Sequence, residues 1–308
     1  MKIIDLHCDT LSKLVENRAS LFCNTLHFDI ERALRAGVRV QFLAFFTPPA
    51  AAHVGLRQVL LQWERFLLAL EEHSSAIYQI MGRKDLDAQE NQERLGCLLH
   101  LEGGEALGED TELLHILHHM GLRSLGLTWN PANLLAGGVD AEGEQARLTG
   151  KGREMLREMD RLGIILDLSH IAPQAYFEAL ETYERPVMVT HGNVYQLCPH
   201  RRNLNDEQLR ALADHGGVIG LNQVNDFVRQ TGGASTADFL DHAAYVADLI
   251  GVEYLALGSD FDGADRVVLP GVEAYEALPQ LLSERGFTAQ EVEMILSKNA
   301  LRVMNQVI

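Results

Sequence analysis

The sequence predicts an α/β fold, a (β/α)8 TIM barrel, and three observations carry the prediction. Eight short apolar, strand-like runs recur along the chain. Amphipathic, helix-like segments separate most of them, and such alternation is the pattern of a parallel barrel inside a ring of helices. The competing doubly wound open sheet would usually show a glycine-rich nucleotide fingerprint after an early strand, and none is present. The chain has 308 residues, 47% of them hydrophobic, with no linker or low-complexity tract, so residues 1–308 read as one domain.

In chain order the runs are Lys2–Leu6, Val38–Phe46, Gly96–Leu101, Ser124–Thr128, Gly163–Leu168, Val187–Thr190, Gly217–Leu221 and Tyr254–Gly258. Between the first two, Asp29–Ala36 reads as a helix closed by Gly37, a good C-terminal stop. Leu56–Glu72 is long and apolar on one face. Gly152–Leu162 alternates charge with Leu and Met, and Asn205–His215 opens on Asn-Asp at an N-cap. Asp238–Ile250 runs into Gly251, and Thr288 with Glu291 forms a capping-box pattern ahead of Val292–Met304. Asn130–Gly152, rich in Gly, Ala and Asn, is expected to be a long loop, with Gly137 and Gly138 in a lid.

A formal net charge of −17 argues against nucleic acid or an anionic membrane surface as partner and leaves small polar or cationic substrates open. No stretch approaches the roughly 18 apolar residues that span a bilayer. The first residues lack the basic head and apolar core of a signal peptide, so a cytoplasmic location is expected. The four cysteines, Cys8, Cys23, Cys97 and Cys198, show no CxxC spacing and read as free thiols. Exposed apolar helix surface leaves room for a homodimer.

The chemistry sits at the ends of the runs. His7 and Asp9 follow the first, and two residues apart on a strand they share a face. Glu102 ends the third, His170 the fifth and His191 the sixth, while Asp260 and Asp262 follow the eighth. In a barrel these C-terminal ends converge on the face that carries the active site. Any one of these groups alone is more often a cap or a satisfied surface group. Five ligand-type groups at four strand ends, with Asp260 at a fifth, point instead to a metal-dependent hydrolase. Three imidazoles and several carboxylates exceed what one open zinc needs and suit two metals sharing Glu102. His100 reads as a hydrogen-bond partner behind the ligands. Cys8 falls on the opposite face as packing, and Asp262 as a cap of the turn after Asp260. The remaining histidines, at positions 27, 53, 73, 115, 118, 119, 200, 215 and 242, read as solvated or packing residues.

Together these motifs resemble the membrane (renal) dipeptidase family, binuclear zinc peptidases with an amidohydrolase-like barrel. The likeness runs from Asp5-Leu-His-Cys-Asp9 to Gly258-Ser-Asp-Phe-Asp-Gly263 and includes Glu102-Gly-Gly104, Arg161 to His170, His191 and Arg201-Arg-Asn203. It implies that His7 and Asp9 bind one zinc, His170 and His191 a second, and that Glu102 bridges them. It implies a dipeptide substrate attacked by hydroxide held between the metals, with a C-terminal D-residue within its range. Asp260 matches the family's proton-transferring aspartate. Sequence context alone makes Arg202 a surface arginine; the resemblance reassigns it to the substrate's terminal carboxylate. One element departs: the mammalian members carry a histidine where this chain has Trp129, in Leu127-Thr-Trp-Asn130. Trp129 and Asn130 are therefore expected at the substrate, with Asn130 or a metal taking over part of that histidine's role.

Two rival functions fit the same barrel. One is another amidohydrolase-type reaction, on a lactone, an N-acyl amino acid or a deamination substrate; many such relatives carry His-x-His after the first strand, where this chain has Asp9. The other is a non-catalytic metal- or peptide-binding barrel, which loss of Glu102 or Asp260 would have signalled.

Overall fold

Every strand pairing in the sheet is parallel, and the sheet closes on itself. The computed structural model describes residues 1–88 and 93–308. Its strands are β1 (Ile3–Cys8), β2 (Val38–Phe46), β3 (Ile77–Gln79), β4 (Leu95–Glu102), β5 (Leu122–Gly126), β6 (Ile165–Asp167), β7 (Met188–Gly192), β8 (Val218–Leu221) and β9 (Leu255–Leu257). The order β2-β1-β9-β8-β7-β6-β5-β4, closed by β4 on β2, is an eight-stranded ring. Each expected run overlaps one strand of that ring.

The short β3 is an addition. It pairs with Leu95–Cys97 at the start of β4, whereas β5 takes the same strand from Leu99 onward. Three residues give too little periodicity to be read from sequence.

Side chains of period two fill the barrel in layers. The floor is one apolar cluster drawn from seven strands of the ring, including Ile4, Phe42, Leu98, Ile165, Met188, Val218 and Ala256. The helix Asn299–Val307 closes it from below through Ala300, Val303, Met304 and Val307. Two residues further along several strands the layer turns polar or small: His100, Asp167 and Thr190, with Gly220 and Gly258. Above it lies the mouth. Glu102 reaches the mouth by strict alternation from Leu98. Alternation alone would oppose His7 to Leu6, and His191 to Thr190. The pairing of β1 slips between Asp5 and Cys8, and that of β7 between Val189 and Gly192, at the positions where each histidine has to turn to the mouth.

The helices follow the expected segments. Gly55–Glu72 buries Val59, Trp63 and Phe66. Asn205, Ser235 and Thr288 each close a capping box. The last helical region begins at Ala289 and passes through a π-type turn, Met294–Lys298, before Asn299. Cys8 is buried in the outer core, on the face opposite His7 and turned there by the same slip of β1.

The glycine pair expected in a lid is packed down instead. Gly137 donates its N–H to the Arg147 carbonyl and accepts from Ala172, and both glycines are buried. A Cβ on Gly138 would run into the main-chain oxygens of Trp129 and Asn130, so this segment is a buttress under the Trp129 loop. Among the described residues no helix is long and apolar enough to cross a membrane.

Candidate active site

Six of the residues singled out at strand ends meet at the mouth. Donor atoms of His7, Asp9 and Glu102 lie within 4.8 Å of one another, as do those of Glu102, His170 and His191, and those of His7, His191 and Asp260. All six side chains are buried. Glu102 stands between the first two groups. Its Oε1 is 2.8 Å from His170 Nε2 and 3.5 Å from His191 Nε2, while its Oε2 is 3.7 Å from His7 Nε2. His7 Nε2 is in turn 3.2 Å from Asp9 Oδ2.

Hydrogen bonds fix the tautomers. Asn130 Oδ1 can only accept, so His170 carries its proton on Nδ1 and donates it across 2.8 Å. Thr190 gives its hydroxyl proton to Asp167 Oδ2 (2.7 Å), which leaves the Thr190 oxygen to accept from His191 Nδ1 (2.9 Å). Both imidazoles therefore present an Nε2 lone pair, and those two nitrogens are 2.9 Å apart. Two lone pairs and a carboxylate oxygen converging on one point repel one another unless a cation sits among them. On the other side, Asp9 Oδ1 is buried without a hydrogen-bond partner. The donor set thus fits metal ions, with Glu102 offering one oxygen to each side.

The electrostatics agree. Burial, with the Asp9 carboxylate adding, lifts Glu102 well above the ordinary carboxylate range. Burial, helped by Arg202 and His7, pushes His170 and His191 well below the usual imidazole value, and neutral imidazole is the ligating form. Burial alone would lower His7, but Glu102 and Asp9 hold it at about 10. A cation held at the centre would supply the charge balance that a protonated His7 supplies without it.

Asp260 is lifted by burial to about 6. Asn222 Nδ2 donates to its Oδ2 at 2.8 Å, and its main-chain N–H bonds the His7 carbonyl at 3.2 Å. Asp262 turns away from the centre, accepting from the Thr10 hydroxyl (2.6 Å) and the His27 amide (2.8 Å). The cap role expected of it becomes a tie between the β9 and β1 loops. His170, Asp260 and Asp262 all have positive φ, at 64°, 60° and 67°. For non-glycine residues this is a strained conformation that clusters at functional sites.

A cavity of about 440 Å³ opens above the centre. Arg202 lines it and is 4% exposed, which removes the surface reading of this side chain. Its Nη2 bonds the His191 carbonyl at 3.3 Å, its guanidinium lies 5.8 Å from the Phe227 ring centre, and its Nε is buried without a partner. Trp129 and Asn130 also line the cavity, Trp129 with its ring 5.4 Å from Phe46 and 5.8 Å from His170.

His100 lies in the layer below, with Nδ1 2.9 Å from Ser124 Oγ and Nε2 3.4 Å from Asp167 Oδ2. Burial pushes it to about 4. Asp167, Thr190 and Asn222 complete the support and escaped the sequence reading. Asp167 lies inside an apolar run, Thr190 closes one and Asn222 follows one, and nothing but their partners sets them apart from ordinary polar residues.

The whole chain, residues 1–308, matches the family model described as membrane dipeptidase (peptidase family M19). The dipeptidase tcpJ of Claviceps purpurea is 28% identical over 294 residues, covering 91% of this chain and 69% of that protein. A crystal structure of a metallopeptidase from Rhodobacter sphaeroides, liganded with a phosphinate mimic of the dipeptide L-Ala-D-Ala, superposes with a TM-score of 0.93 at 24% identity, over 100% of this chain and 99% of that one. A second structure, dipeptidase AC, gives a TM-score of 0.93 at 25% identity, over 100% and 98%.

Proposed function

The chain belongs to the membrane dipeptidase family, peptidase family M19, and from that premise we propose that it hydrolyses dipeptides at a centre of two zinc ions. In this reading His7 and Asp9 hold one ion, His170 and His191 the other, and Glu102 both. The observation that carries it is the division of the Glu102 oxygens between the two histidine groups. Bound between such ligands, the metals supply a hydroxide near neutral pH and polarise the scissile carbonyl.

The chain's own groups do the rest. Arg202, buried with an unpaired Nε at the cavity wall, receives the substrate's terminal carboxylate through charge-assisted hydrogen bonds and so requires a free C-terminus. Asp260, raised toward neutrality by burial, accepts the proton of the attacking water and returns it to the departing amine, general base and then general acid. Asn222 occupies its Oδ2 and leaves Oδ1 for that proton. Water adds to the carbonyl carbon, the C–N bond breaks, and two amino acids leave. The ligand of the Rhodobacter sphaeroides protein, a mimic of L-Ala-D-Ala, supports extending the range to a C-terminal D-residue.

The test is a panel of L-L and L-D dipeptides, with lactones and N-acyl amino acids beside it, on zinc-loaded protein. Dipeptides should turn over, and Asp260→Asn should lower kcat by roughly 100- to 10,000-fold while metal analysis still finds both ions. Turnover of the lactones alone, or an active Asp260→Asn variant, would overturn the assignment.

A further inference from the structure

We propose that the wall across the mouth from Arg202, built from Phe46, Pro48 and Trp129, receives the side chain of the substrate's N-terminal residue and selects a large apolar one. This inference rests on the dipeptidase reading, in which Arg202 takes the terminal carboxylate.

Ring geometry sets the direction. Arg202 lies in the connection after β7. Counting around the ring through β8, β9 and β1, or through β6, β5 and β4, β2 is the fourth strand either way, so the β2 loop faces the β7 loop across the mouth. A dipeptide anchored by its carboxylate at Arg202, with its scissile bond over Glu102 and Asp260, extends its N-terminal residue toward the end of β2. Phe46 and Pro48 stand there, and the Trp129 ring leans over from the β5 loop to within 5.4 Å of Phe46. Phe46 and Trp129 are only part-buried, their remaining surface facing the cavity.

Most polar groups around this wall are committed elsewhere, the Gln58 amide being the one left to meet a substrate. Gln62 is spent on the Phe46 main chain, accepting from its N–H at 3.0 Å and donating to its carbonyl at 2.7 Å, which also fixes the end of β2. At the rim, Lys13 and Glu16 pair with each other at 3.5 Å and offer no net charge to a substrate side chain. A cavity of about 440 Å³ holds more than a dipeptide of the smallest residues. Apart from the Gln58 amide, the surface on this side is aromatic and apolar, which rewards burial of a Leu or Phe side chain.

The experiment measures kcat/KM for Gly-Ala, Leu-Ala and Phe-Ala, and for Ala-Gly, Ala-Leu and Ala-Phe, on the zinc-loaded enzyme. The Phe-Ala to Gly-Ala ratio should be at least roughly tenfold. Phe46→Ala should cut that ratio about tenfold and shift the Ala-Phe to Ala-Gly ratio far less. Trp129→Leu, whose backbone is not in the barrel, should do the same. Ratios taken within one preparation do not depend on how much of a variant folds. A flat N-terminal series, or equal loss in both series on substitution, overturns this inference and leaves the dipeptidase reading standing. No turnover of any dipeptide overturns both.

Discussion

Asn130 shows how much of this site depends on a residue that ligates nothing. It lines the cavity where the substrate is expected, and its side-chain oxygen lies on His170 Nδ1. An amide oxygen there fixes which nitrogen of His170 keeps its lone pair. Asn130→Ala should therefore weaken metal binding by roughly 10- to 100-fold, as loss of such outer partners typically does. Competition with a chromophoric chelator measures this directly, and unchanged affinity would show that the ring is held by its packing against Trp129. Asp167 does the same for His191 at one remove, through Thr190. The groups at the mouth were legible because barrel topology gathers strand ends whatever their sequence separation. Asp167, Thr190 and Asn222 were not, because a lone buried Asp, Thr or Asn in or beside an apolar run looks like any polar interruption until its partners are known. Arg202 was legible only through the family motif, since its burial is a tertiary property.

At the scale of elements, three strands meet more closely than any side chain permits. A Cβ on Gly258 would strike the Thr190 carbonyl oxygen, and one on Gly220 would strike the same oxygen from β8. The polar layer beneath the mouth is thus narrow on the β7–β9 side, which brings His191 and Asp260 within reach of His7. Gly258→Ala should cost about 1–3 kcal/mol through forced backbone shifts, read as a lower urea midpoint at unchanged m-value. A neutral result would mean that the β9 end relaxes freely. The eight strands themselves were readable from apolar runs and turn chemistry, and the capping boxes at Asn205 and Thr288 marked their helices well. Harder to read were the register slips in β1 and β7. Sequence parity places His7 with Asp5, whereas the slip is what delivers His7 to the mouth, and a slip leaves no mark in residue type.

For the molecule as a whole, the site is also a cluster of buried carboxylates in a chain of net charge −17. A ligand that binds only the folded state stabilises it by mass action. Stripping the metal with EDTA should lower Tm by roughly 5–10 °C, taking metal at about a hundred times its Kd as the starting point. Zinc should restore it, and calorimetry with and without chelator decides. A Tm indifferent to EDTA would mean that the folded chain holds no metal that the chelator removes.

The seam between β1 and β9 has a consequence in the cell. These strands register at a single pair, Asp5 with Leu257, and the loops beyond them complete the closure: Asp5 accepts from the Ser259 amide and the Tyr275 hydroxyl, Ser259 bonds His7 across 252 positions of chain, and Cys8 bridges Phe261. Translation delivers the two sides of this seam 252 positions apart. No nascent chain still lacking its last strand owns a complete mouth, so a prematurely released product is inert rather than slow.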